Sequence, residues 1–142
     1  MENFEKNIIE LKKLGLPSEK FAVFGSGPMA VHNIRDSRDL DVVIWPELWE
    51  ELSKKYSPLD KKEIRLGNIS FFKSWRPWFE DVTLLIEDCE IVDGIRFVKL
   101  KYVMEWKKKF GREKDLEDVK MIEEYFLSEK KDMLRKTIIF IN

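Results

Sequence analysis

The sequence predicts an α+β fold (α/β-like): a small mixed β-sheet with helices packed on it and further helices at the C-terminus, in a single domain over residues 1–142. Short apolar runs such as Phe21–Phe24 and Leu40–Trp45 are bounded by turn residues and have the length of strands. Amphipathic patterns of helical period occupy both ends of the chain. The 142 residues are 44% hydrophobic and 37% charged, which suits one core under a charged surface.

Each element has its own signal. Phe4, Ile8, Ile9, Leu11 and Leu14 recur at helical spacing over Asn3–Leu14, and Gly15 is the stop. Lys20–Phe24 is a short strand. Pro28 follows Gly25-Ser26-Gly27 and opens a short helix, Met29–Ile34, where a missing N–H costs nothing. Arg35–Arg38 is a polar turn. Leu40–Trp45 is nearly continuous in apolar residues, as in a central strand covered on both faces. Pro46–Tyr56 is a helix that buries Leu48, Trp49 and Leu52. Glu63–Leu66 and Ile69–Ser74 flank Gly67-Asn68 as a hairpin, and Glu90–Val92 and Ile95–Val98 flank Asp93-Gly94 in the same way. Trp75–Trp78 is an aromatic loop, and Asp81–Ile86 a short helix. Leu100–Phe110 and Lys114–Phe126 are helices separated by Gly111. The tail begins helical and ends in Ile138–Ile141, read as a packed C-terminus or a subunit contact.

A formal net charge of −1 does not suggest a broad grip on nucleic acid. The single cysteine, Cys89, has no partner for a disulfide or a thiolate metal site and reads as a small buried hydrophobe. No apolar run has the length of a membrane span, and the charged N-terminus lacks a signal-peptide core. A cytoplasmic protein without a membrane partner is the expectation.

The chemistry concentrates between Phe21 and Ile44. Asp39 and Asp41 are two apart on a strand and therefore share a face. They are hard oxygen ligands of the kind magnesium takes beside phosphate oxygens and water. Gly25 and Gly27 allow close backbone approach to a ligand, Ser26 adds a hydroxyl, and the helix that follows offers N–H groups to a phosphate. Carboxylates alone repel a triphosphate; with a cation and a glycine turn they make a site for one.

Phe24-Gly25-Ser26 followed by Asp39-Leu40-Asp41-Val42 resembles the pattern of the nucleotidyltransferase superfamily, which includes DNA polymerase β and the minimal nucleotidyltransferases. Trp106–Asp118, with Lys107, Gly111-Arg112, Lys114-Asp115 and Asp118, is similar to an ending common in such proteins. The resemblance implies that Gly25 and Ser26 bind a nucleoside triphosphate such as ATP; Arg38, beside the aspartates, is a further nucleotide-binding candidate by its charge and position. It implies that Asp39 and Asp41 are the catalytic, Mg²⁺-binding residues. The activity it implies is transfer of a nucleotidyl group to a hydroxyl on a small molecule, protein or RNA. A chain this short leaves a homodimer or a partner protein to complete the cleft.

The family uses a third carboxylate on a later strand to help activate the acceptor hydroxyl. The strand expected to carry it, Ile69–Lys73, contains no acid, and Ser70 lies near the position. Glu63 substitutes only if its strand neighbours Asp41; Glu80 and Asp81 substitute only if the loop folds back. An acid within reach of Asp39 and Asp41 favours an enzyme. A serine there favours a catalytically degenerate fold serving as a nucleotide-binding or regulatory, partner-binding module. An unrelated fold places Asp39 and Asp41 in solvent, away from Gly25.

Other residues carry paired readings. His32 is a phosphate contact or acid–base group, or else a partly exposed helix residue. Arg35 and Arg38 neutralise a triphosphate, or pair with Asp36 and Asp39. Trp75, Trp78 and Phe79 stack on a base, or belong to core or interface. Asp115 and Asp118 lie on one helix face, where pairing with Arg112 or Lys107 fixes two helices together.

Overall fold

The structure, a computed structural model, describes residues 1–141. Six helices and six strands follow the order α1 (Glu2–Lys13), β1 (Phe21–Phe24), α2 (Gly27–Val31), β2 (Leu40–Ile44), α3 (Pro46–Lys55), β3 (Glu63–Leu66), β4 (Ile69–Phe72), α4 (Thr83–Glu87), β5 (Cys89–Val92), β6 (Ile95–Val98), α5 (Leu100–Phe110) and α6 (Glu113–Ile141). The fold is α+β, with a mixed six-stranded sheet in the order β3-β4-β2-β1-β6-β5. The chain divides into two compact units, residues 1–103 and 104–142.

In the first unit, β1 and β2 run antiparallel at the centre, with Phe24 opposite Asp41. β4 lies parallel to β2, and β6 parallel to β1. Both predicted hairpins form on two-residue turns. Gly67 has φ +62°, and Asp93 and Gly94 have φ +51° and +78°, the left-handed pair that a tight hairpin turn requires.

The pleat divides the central residues between two faces. Val23, Leu40, Val42, Ile44, Ile69 and Phe71 point one way and join Phe4 and Leu11 of α1 and Leu48, Trp49 and Leu52 of α3 in one buried cluster. The opposite face carries Ala22, Phe24, Asp41, Val43, Ser70 and Phe72. Leu85 and Ile86 of α4 are fully buried outside that cluster, and α4 lies against β1, β2 and β6. The only charge among these central positions is Asp41, so the sheet is apolar up to the strand end that carries the aspartates.

The second unit contains the end of α5 and all of α6. Val119 and Ile122 are buried in the first half of α6, while every described side chain from Phe126 to Phe140 is exposed. Ile138 and Ile139 are 59% and 70% exposed, which corrects the reading of the tail as a packed C-terminus. The Ile141 side chain lies outside the described residues. No helix among the described residues is long and apolar enough to cross a membrane.

Candidate functional site

β1 ends on Phe24, and the chain turns through Gly25 at φ +61°. That conformation disfavours a side chain, and the space is already occupied: a methyl group on Gly25 would lie 2.6 Å from Asp41 Oδ2. The carboxylate of Asp41 thus rests directly on the glycine turn. Asp39 and Asp41 line an open polar pocket of about 500 Å³ with Ser26, Arg35, Arg38, Asn3 and Asp36. Asp41 therefore faces the turn, while Asp39, exposed, lines the same pocket.

Two sequence expectations at the turn need correction. A methyl on Gly27 would lie 2.3 Å from Val23 Cγ1, so Gly27 serves the packing of α2 on β1 rather than the approach of a ligand. α2 is only five residues long and its second residue, Pro28, has no N–H, so it has no developed N-terminal dipole to offer.

The rim of the pocket is held by contacts from far along the chain. Ser37 is completely buried, and its hydroxyl donates to the Asp39 carbonyl at 2.8 Å. Its one proton is used there, so in the 2.8 Å contact between Ser26 Oγ and Ser37 Oγ the donor is Ser26. A phosphate that draws the Ser26 proton breaks this bond. Asn7 Nδ2 donates to the Arg38 carbonyl at 2.9 Å. Asp36 accepts the Phe4 and Asn3 backbone N–H groups at the start of α1 and that of Ser37. It caps a helix whose own N-cap, Met1, supplies no side-chain bond.

Burial pushes the Asp36 carboxyl up, but the N–H groups of Phe4, Ser37 and Asn3 outweigh it and hold the group below its ordinary range. A depressed carboxylate stabilises the fold above its unfolded pKa of about 4, and that contribution is lost as pH falls through the folded value. Asp36→Ala is therefore expected to lower stability at neutral pH and to flatten the acid limb of the unfolding curve. Urea melts between pH 3 and 7, buffer conditions chosen to bracket that range, check it; an unchanged acid limb refutes the cap.

No family model, curated protein or solved structure matches this chain.

Beside Asp41 in register on β4 stands Ser70. β3 is not the neighbour of β2, so the condition set for Glu63 is unmet as stated. Glu63 nevertheless reaches back: it pairs with Phe72, on the same face as Ser70, and its Oε2 accepts the Ser70 hydroxyl at 2.7 Å. Asp81 is instead committed to Thr83, whose hydroxyl and backbone N–H it accepts at the start of α4. Those bonds hold its carboxyl below the ordinary range. Among the described residues, no group of three acidic, histidine or cysteine side chains is placed to hold a metal ion. Three carboxylates line the pocket; Asp36 is committed to backbone N–H groups, which leaves Asp39 and Asp41, and magnesium bound through phosphates needs one or two.

The remaining candidates divide. His32 Nε2 lies 3.0 Å from Glu90 Oε2 on β5, so it is engaged away from the pocket rather than at a phosphate. Arg38 is exposed, lines the pocket and makes no ion pair with Asp39 among the described residues. Arg35 donates to the Asp36 carbonyl at 2.9 Å, not to its carboxylate. Trp75 packs its ring 4.8 Å from Phe24 and 5.0 Å from Phe72, while Phe79 reaches Phe24 and Tyr102. These two rings cover the sheet face. Trp78 and Arg76 line a second pocket, about 230 Å³, with Glu63, Phe72, Ser74 and Trp75 among its walls.

The ion-pair reading of the C-terminal motif holds. Lys107 Nζ lies 2.8 Å from Asp118 and 3.6 Å from Asp115. Arg112 engages Asp115 through two bonds, of 2.6 and 3.1 Å. Burial pushes the Asp115 carboxyl up, but Arg112 and Lys107 outweigh it and the net direction is down.

Proposed function

We propose that this protein binds a nucleoside triphosphate with Mg²⁺ and transfers its nucleotidyl group to a hydroxyl, with release of pyrophosphate. The observation that carries the reading is the seat of Asp41 on Gly25, in one pocket with Asp39 and two arginines. Asp39 and Asp41 would hold Mg²⁺, which when bound neutralises phosphate charge and polarises the phosphoryl oxygens. Arg35 and Arg38 give the same pocket positive charge for the phosphate chain. The bond Ser26 makes to Ser37 fixes the turn against the strand that carries the aspartates, so the site's main parts are held before a ligand arrives.

A second reading is favoured by Ser70. With a serine in register beside Asp41, a nucleotide-binding or regulatory module without transfer activity also fits.

Calorimetry with each of the four nucleoside triphosphates, with and without Mg²⁺, tests the common part of both readings. The native chain is expected to bind at least one only with Mg²⁺, and Asp41→Asn to lose that binding. A folded native chain that binds none ends both.

A further inference from the structure

We propose that the second half of α6 is a self-association surface, on which a second copy of this chain packs antiparallel; the inference stands apart from the nucleotidyl-transfer reading. Ile122, Phe126, Met133 and Phe140 follow one another at spacings of four, seven and seven, and so form one stripe along the helix. Ile122 is fully buried, whereas Met133 and Phe140 are 69% and 92% exposed. Leu127, Leu134 and Ile138 widen the exposed part on one flank. The opposite side of the helix carries Ser128, Asp132 and Arg135, together with Ile139. The apolar face that packs in the first half of α6 thus continues into solvent. A contiguous apolar patch of this kind marks an interaction surface.

The charges beside the stripe select the partner and its direction. Glu129 and Lys136, seven residues apart and both exposed, lie on the flank away from Leu127 and Leu134. In an antiparallel pair related by a two-fold axis beside Met133, like flanks meet. Glu129 then faces Lys136 of the second copy and Lys136 faces its Glu129, so two ion pairs border the contact. Phe126 lies against Phe140 of the second copy, and Lys130 against its Thr137. The parallel alternative sets Lys130 against Lys130 within the apolar stripe and forms neither of those ion pairs. An anionic membrane selects cations along the edge of an apolar stripe, where this helix carries Glu129. Residues 126–140 span about 22 Å of helix. A contact of that length falls at the low end of specific interfaces, below about 1,200 Å², so the dimer is expected to dissociate on dilution.

The test is sedimentation velocity of the untagged full chain over a concentration series, with far-UV circular dichroism and thermal melts to confirm that each variant is folded. The mass is expected to rise with concentration from 17.1 kDa toward twice that value. Met133→Lys places a charge at the centre of an exposed stripe and is expected to weaken association about tenfold or more. Glu129→Lys and Lys136→Glu each turn both ion pairs into repulsions, and each is expected to weaken it several-fold. Glu129→Lys combined with Lys136→Glu restores the pairs with their signs exchanged and is expected to recover the native association. A native chain that stays monomeric across the series overturns the inference. Sedimentation of that monomer with phosphatidylcholine–phosphatidylserine vesicles would assign the stripe to a membrane surface instead. A dimer that survives Met133→Lys forms elsewhere on the molecule and overturns it too, as does a double reversal no better than either single one.

Discussion

Lys107→Ala is expected to lower the stability of the protein by about 3–5 kcal/mol, the range for removing one partner from a buried ion pair. Lys107 is 5% exposed, with its ammonium between Asp118 and Asp115 and 4.6 Å from the Trp106 ring centroid. Its removal leaves Asp118 as a buried carboxylate without that cation; Asp115 keeps Arg112. The contrast lies in the same unit: Lys108–Glu123 and Lys109–Glu105 are about half exposed at both ends. Pairs of that kind contribute about 0–1 kcal/mol, so Lys109→Ala should barely move the midpoint. Urea unfolding followed by tryptophan fluorescence measures both. The double variant Lys107→Met, Asp118→Leu removes both members of the pair and should recover most of the loss. A single-variant loss no larger than that of Lys109→Ala refutes the assignment.

Gly25→Ala should damage the site more than the fold. A left-handed backbone costs a non-glycine residue about 1–2 kcal/mol, and the new methyl lies 2.6 Å from Asp41 Oδ2. The carboxylate must move, so Mg²⁺-dependent triphosphate binding should fall at least tenfold, by analogy with the loss expected of Asp41→Asn. Gly15→Ala is the matched control: φ is +64° and nothing lies within 4 Å of its added methyl. It carries the backbone strain alone, so it should destabilise without touching binding. Equal binding losses in the two variants would show that the effect comes through global stability and not through Asp41.

The elements were legible because periodicity and breakers agreed. Leu100–Phe110 runs from one expected end to the other, with Gly111 at φ +71° after it. The apolar period predicts the last helix to Phe126 with a helical start beyond, whereas α6 runs unbroken to Ile141 with its side chains from Phe126 to Phe140 exposed. Burial was the wrong guide there, since backbone bonds alone continue the helix. The Gly-Ser turn and the two aspartates were legible for a local reason: they share one strand–turn–strand unit. What fixes them was not. Asp36 and Asn7 act across more than thirty residues, on Phe4 and on the Arg38 carbonyl. Ser37 looks like any turn serine until its burial is known. Arg38 and Asp39 line the same pocket without pairing among the described residues, and both are exposed. The bond from Ser70 to Glu63 is not legible in the sequence either, because a long side chain reaches diagonally to the next strand.

The capping of α1 by Asp36 has a practical corollary. Asn3 lines the polar pocket, and the first turn of the chain is stitched to its rim through the Asn3 and Phe4 amides. A purification handle fused ahead of Met1 therefore emerges at the mouth of the candidate site. A polyhistidine tag placed there brings its own metal-binding imidazoles to the spot where magnesium is to be titrated. The handle belongs after Asn142, and an uncleaved amino-terminal fusion is a poor starting point for any ligand screen.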